Sequence, residues 1–270
     1  METRNPIPNS ERLSILTASI LLAYAVSPYI KITPQVLSLT LGGAKFFFQF
    51  DFSTITSLVA AALAFVGSGW LISSHPRLGA QKTLQFRFLP ALTAWVIGVP
   101  LNTLSIGPDW WGVLALGALL LLGVFTAEYF AVDFDDYRYP PAAIALLVVS
   151  FGLFLLLAIA IRAAGLRLYL LVPAVVISLT LMAARIFALR LGGNWQWIWA
   201  AGVSVVVGQA ALGLHYLPIS PLAFGLVLLG LAFGIIDTAG SLLEGKSLRS
   251  AWPGPLLVSV ILWGLALQFG

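Results

Sequence analysis

Sixty per cent of the 270 residues are hydrophobic and only 9 % are charged, about a third of the charged share of an ordinary soluble domain. So few charges cannot dress a globular surface, which excludes a water-soluble fold. Fourteen basic against ten acidic residues leave a net charge of +4, but the Lys and Arg are scattered through short loops and read as topology signals rather than a nucleic-acid-binding patch.

A helix needs about 18–25 apolar residues to satisfy its backbone across the hydrocarbon. About nine such runs follow one another: Leu13 to Ile30, Ser53 to Ser73, Leu84 to Ile106, Trp110 to Val132, Pro140 to Ile161, Leu168 to Leu189, Trp195 to Leu214, Ile219 to Ile236 and Trp252 to Phe269. The expected fold is an all-α polytopic membrane protein, a single membrane domain over 1–270. Ala23-Tyr24-Ala25 in the first run has the small-x-small pattern of a signal-peptidase site, and cleavage there would leave eight spans. Ten of the fourteen basic residues fall on the side of the amino terminus; Lys31, Lys45, Arg162 and Arg167 fall on the other. The positive-inside rule then places the amino terminus in the cytoplasm and the carboxyl terminus outside the cell membrane.

Between the first two runs the period changes to two. Leu37, Leu39 and Leu41 alternate with Ser38 and Thr40, and beyond Gly42-Gly43 the residues Phe46, Phe48, Phe50 and Phe52 alternate with polar neighbours, Phe47 apart. This predicts an extracytoplasmic β-hairpin over 34–52 with a primed turn, pairing Leu39 with Phe46 and Leu37 with Phe48. The readings it permits are a plug on the helix ends, a lid over an outward cavity, or a docking ridge.

Ionisable groups inside a membrane are costly and mark candidate sites. Glu128 lies about one turn inside the fourth run and Arg185 at a similar depth in the sixth, so a Glu128–Arg185 pair could join two helices or form a polar pocket. Asp133-Phe134-Asp135-Asp136 could hold a divalent metal through Asp133, Asp135 and Asp136, or stand as a solvated loop bridged to Lys246 and Arg249. Gln209 is the strongly polar side chain near the middle of the seventh run, where one interhelical hydrogen bond is expected. His215 closes that run. With only His75 and His215 in the chain, on opposite sides, bis-histidine haem binding is excluded. Absence of Cys removes thiolate metal sites and thiol nucleophiles. Asp237 ends the eighth run, which also contains Gly230-Leu231-Ala232-Phe233-Gly234, a small-residue motif for close packing. Pro100 and Pro173 predict kinks.

The run His215-Tyr216-Leu217-Pro218-Ile219-Ser220-Pro221, leading into Phe224-Gly225-Leu226-Val227-Leu228-Leu229-Gly230, resembles an uncharacterised bacterial family of multi-pass membrane proteins. The resemblance implies no activity. An ungapped shift of 113 residues matches Arg77-Leu78-Gly79 with Arg190-Leu191-Gly192 and Pro108 with Pro221, which suggests a parallel internal repeat of 53–161 and 168–270.

The leading functional reading is non-catalytic: a structural or accessory subunit, or a lipid-embedded binding component, with membrane lipid or another membrane subunit as partner, no nucleic acid and no cofactor. Two alternatives stand beside it, a carrier of a small apolar or amphipathic solute and a lipid-processing enzyme using the Asp133, Asp135 and Asp136 cluster.

Overall fold

In the computed structural model of the chain, residues 7–30, 51–78 and 83–269 are described with their side chains, and residues 35–41 and 44–50 by their backbone. Nine helical stretches among the described residues are long and apolar enough to cross a membrane. The first unit contains α1 (Ser10–Val26), α2 (Phe52–Ile72), α3 (Phe88–Thr103) and α4 (Pro108–Phe130). The second contains α5 (Tyr139–Ala163), α6 (Leu168–Arg190), α7 (Trp197–His215), α8 (Pro221–Leu243), the one-turn α9 (Leu248–Ala251) and α10 (Pro253–Gln268). Short 3₁₀ turns lengthen α1 to Tyr29 and begin the third span at Thr83, while α9 and α10 together make the last one.

Local chemistry sets the helix ends. The Asn9 side chain accepts from the backbone N–H groups of Glu11 and Arg12, and Ser220 Oγ accepts from Ala223 N–H, so α1 and α8 start with capped donors. Pro108 and Pro221 stand where a missing N–H costs nothing. At the far end of α8, Gly245 takes a φ of +85°, and the N–H groups of Gly245 and Lys246 turn back to Leu242 and Ser241 carbonyls. Large side chains point outward along the spans: Leu116 is 67 % and Ile198 88 % exposed. Apolar surface of that kind belongs against lipid rather than water, and with the nine spans it makes this a multi-pass membrane protein.

The chain divides into two compact units at Asp136 and Tyr137. In the first, Ile20, Tyr24, Ala64, Ile97, Leu121 and Phe125 belong to one buried cluster drawn from all four helices. In the second, α8 packs on α10 through small residues: Ser259 Oγ donates to the Gly230 carbonyl at 2.7 Å and Trp263 Nε1 to the Val227 carbonyl at 3.1 Å. A Cβ at Gly230 would come within 2.7 Å of that indole nitrogen and one at Gly234 within 2.6 Å of Ser259 Oγ. The Gly-x-x-x-Gly motif is thus an internal seam.

One expectation needs correction and a second gains no support. The elements described with their side chains are all helices, so the fold is helical, and the predicted β-hairpin over 34–52 is not among them. For 35–50 there is only backbone pairing of Gln35–Leu41 with Ala44–Phe50, Leu39 opposite Phe46. The Gly42-Gly43 turn and every side chain of that stretch lie outside the described residues, so the plug, lid and ridge readings have nothing to rest on. A two-stranded ribbon alone is marginal in any case. The predicted boundary at 52 also fails, because Asp51 leaves the alternation and caps α2, accepting from Thr54 N–H at 2.8 Å. The second expectation is the repeat, which gains no support: its first half, 53–161, takes in α5, whereas α5 belongs to the second unit with α6 to α10.

Candidate functional site: a polar cavity in the first unit

A cavity of about 250 Å³ opens where α1 ends, α2 begins, α3 ends and α4 begins, and the residues lining it include Tyr24, Ser27, Asp51, Ser53, Asn102 and Trp110. These come from four separate helix ends, so the site is a product of packing. Tyr24 is buried among apolar neighbours and its hydroxyl donates to the Ala94 carbonyl at 2.6 Å. That contact holds α1 to α3 and places the Ala23-Tyr24-Ala25 segment inside the unit. Gly98 leaves room for the arrangement, since a Cβ there would come within 2.3 Å of Ser57 Oγ and 2.9 Å of the Tyr24 hydroxyl.

Around the opening the short polar side chains are tied to backbone. Ser57 Oγ donates to the Ser53 carbonyl at 3.0 Å and accepts from Asn102 Nδ2 at 3.4 Å. Thr56 Oγ1 donates to the Phe52 carbonyl and lies 3.1 Å from Ser27 Oγ. Trp110 Nε1 donates to the Leu101 carbonyl at 3.1 Å, which closes the turn between α3 and α4 and satisfies an acceptor at the end of α3. Asp51 carries the charge. Partial burial raises its carboxyl, but hydrogen bonds from the Thr54 hydroxyl and N–H and from Ser53 outweigh burial and hold it below its ordinary value. The cavity therefore presents a fixed carboxylate, a carboxamide, hydroxyls and the aromatic side chains of Tyr24, Phe52 and Trp110, a set suited to recognising a small polar molecule.

The residues singled out by sequence are distributed differently. Glu128 is fully buried on α4 in the first unit, and Arg185, 2 % exposed, lies on α6 in the second. Gln209 is exposed on α7 and makes no interhelical hydrogen bond among the described residues, because its face of the helix turns outward. Asp237 accepts from Arg190 Nη1 at 2.7 Å, and Arg190 Nε also reaches Glu244 at 2.7 Å, so Asp237 helps fasten α8 to α6. His215 ends α7 with its ring edge-on to Tyr216; its Nδ1 is buried without a hydrogen-bond partner, and its carbonyl accepts from Arg162.

The acidic loop does not assemble a metal site among the described residues. Asp133 pairs with Arg77 and accepts from the Asp135 N–H at 3.3 Å, while Asp135 is exposed. In the second unit Lys246 pairs with Glu244 at 2.9 Å. Beside Asp133, His75 is buried edge-on to Tyr129, and its Nδ1 accepts from Arg77 N–H. Burial lowers the His75 pKa; Asp133 opposes the shift, Arg77 adds to it and Asp136 opposes it.

Sequence reasoning passed over Tyr24, Ser27, Asp51, Ser53 and most of the role of Asn102. One signal was available: Asp51 followed by Ser53, Thr54, Thr56 and Ser57 is a helix cap with polar residues at turn spacing.

The model of DUF5656, a family of proteins of unknown function, matches residues 32–269. The chain belongs to that family. No curated protein and no solved structure matches it.

Proposed function

We propose that this member of a family of unknown function is a lipid-embedded, non-catalytic binding component whose first unit takes a small organic cation, an amine or quaternary ammonium. The single observation behind this reading is the cavity between the ends of α1 to α4. Its lining carboxylate, Asp51, attracts a cation, and Tyr24 and Trp110 supply aromatic walls that favour one. At about 250 Å³ it is smaller than pockets for drug-sized ligands, so the occupant is small. Acid–base or nucleophilic chemistry calls for a paired group of matched pKa, whereas the carboxylate here is held ionised by helix-capping bonds. The excess of Lys and Arg at the opposite helix ends supports a cytoplasmic amino terminus, which turns the cavity away from the cytoplasm.

The test is thermal unfolding of the purified protein with ethanolamine, choline, glycerol and sodium chloride. A bound ligand at a hundred times its Kd stabilises by about 2.7 kcal/mol. Ethanolamine or choline should raise the unfolding temperature above the sodium chloride control, and Asn102→Ala together with Trp110→Phe should reduce the gain. Equal shifts from glycerol and the amines, or none in the unmutated protein, would refute the cation reading.

A further inference from the structure

Two arginines occupy comparable settings, one in each unit, and only one of them is neutralised. Arg190 in the second unit lies on the bare face of Gly240, where a Cβ would come within 2.5 Å of Nη1. There its charge is met by Asp237 and Glu244 at 2.7 Å each. Arg87 in the first unit, at the start of α3, lies on Gly69 in the same manner, with a Cβ position 2.5 Å from Cζ and Nε. Its Nη2 donates to Thr83 Oγ1 at 2.6 Å, and its Cζ stands 5.7 Å from the Phe65 ring centroid. Among the described residues no carboxylate pairs with Arg87, and its Nε is buried with no hydrogen-bond partner.

A second cation flanks the same helix end. Arg12 Nη1 donates to the Trp70 carbonyl at 2.9 Å, and its guanidinium stands over the Trp70 ring at 4.9 Å. It too has no carboxylate partner among the described residues. Gly69 and Trp70 are consecutive on the last turn of α2, so one helix terminus receives two guanidinium groups. The carboxyl end of a helix offers only about half a negative charge. A partly enclosed guanidinium with an unsatisfied N–H and surplus positive charge calls for an oxyanion.

We infer that the carboxyl end of α2, between Arg12 and Arg87, is a binding site for a phosphate group, presented by the headgroup of an anionic lipid. Guanidinium forks match phosphate oxygens in pairs, which an ammonium does not. Depth agrees with a headgroup, because Arg12, Trp70 and Arg87 all lie within about one turn of a span end, where tryptophan gathers and lipid phosphates reside. The site is independent of the cavity, which opens at the other end of α2.

The experiment uses the full-length protein in neutral detergent and reads the half-maximal concentration at which an additive raises the unfolding temperature. The additives are short-chain phosphatidylglycerol, short-chain phosphatidylcholine and inorganic phosphate. Phosphatidylglycerol should act at lower concentration than phosphatidylcholine, and Arg87→Gln should weaken its effect about tenfold, the loss expected for a charge-assisted hydrogen bond. Arg12→Gln should weaken it in the same direction. Arg190→Gln should lower the starting temperature yet keep the response, since that arginine is already neutralised. A response to inorganic phosphate that Arg87→Gln also loses would keep the anion site and assign it to free phosphate. Arg12→Gln, at the Trp70 side of the site, decides the matter where Arg87→Gln does not fold. A wild-type response to phosphatidylglycerol in both variants, or equal responses to the two lipids throughout, overturns the inference.

Discussion

Replacing Gly98 by Ala would add one methyl group at the point where α1, α2 and α3 meet beneath the cavity. In isolation the change favours the helix by about 1 kcal/mol, since glycine is the poorer helix former. Against it stands a Cβ position 2.3 Å from Ser57 Oγ and 2.9 Å from the Tyr24 hydroxyl, neither of which can stay in place. Overpacking of this kind costs about 1–3 kcal/mol. Displacing the Tyr24 hydroxyl also removes its 2.6 Å bond to the Ala94 carbonyl, about another 1 kcal/mol, and more if either group is left buried and unpaired. The net expectation is a loss of about 1–3 kcal/mol, which at roughly 2–4 °C per kcal/mol for a chain near this size lowers the unfolding temperature by several degrees. Thermal unfolding in mild detergent, followed by tryptophan fluorescence, measures it. Adding Ser57→Ala removes the closest clash and should restore part of the loss, a coupling that a double-mutant cycle reads directly. A Gly98→Ala protein as stable as the unmutated one would mean that helix propensity wins and that the close approach of α1 and α2 to Gly98 is not a constraint.

Arg162 donates to the His215 carbonyl at 3.0 Å and to the Leu217 carbonyl at 2.7 Å, holding the end of α5 to the turn after α7. Arg162→Gln should therefore destabilise by about 2 kcal/mol, while Arg162→Lys, which keeps the charge without the fork, should recover less than half; full recovery by lysine would show that charge alone matters. His75 gives a pH signature. Its folded pKa lies below the ordinary 6.5, so the unfolded chain binds more protons, and this contribution to stability is present above about 6.5 and declines as pH falls below it. His75→Asn, which keeps an acceptor for the Arg77 N–H, should flatten the fall in unfolding temperature between about pH 7.5 and 5; an unchanged slope would place the pH dependence elsewhere.

The spans were legible because each crossing is a local property. Hydrocarbon thickness fixes a run length and backbone hydrogen bonding demands a helix, and both are satisfied within about twenty consecutive residues. Predicted and observed spans accordingly agree to within a few residues at most ends, from Leu13 to Ile30 against Ser10–Tyr29 through Trp252 to Phe269 against Leu248–Gln268, while the eighth runs on past Ile236 and Asp237 to Leu243. The stretch before α2 shows the limit of local reading. An alternating pattern running through Phe52 was compatible with a strand, yet Asp51 and Thr54 together form a helix cap, and the cap prevailed where the apolar helix behind it could pack.

Polar partnerships were not legible, since any of several basic residues at one face of the membrane could meet any of several acids there. Packing chose Arg77 for Asp133 and gave Asp237 to Arg190. It turned Gln209 outward and left Arg87 without a carboxylate among the described residues. By itself the sequence determined the apolar runs that become, among the described residues, nine helices long enough to cross a membrane. Only the tertiary structure decided that Tyr24, Asp51 and Asn102, far apart along the chain, share one cavity, because helix rotation and the close contacts allowed at Gly69 and Gly98 are set by neighbouring helices rather than by the residues beside them in sequence.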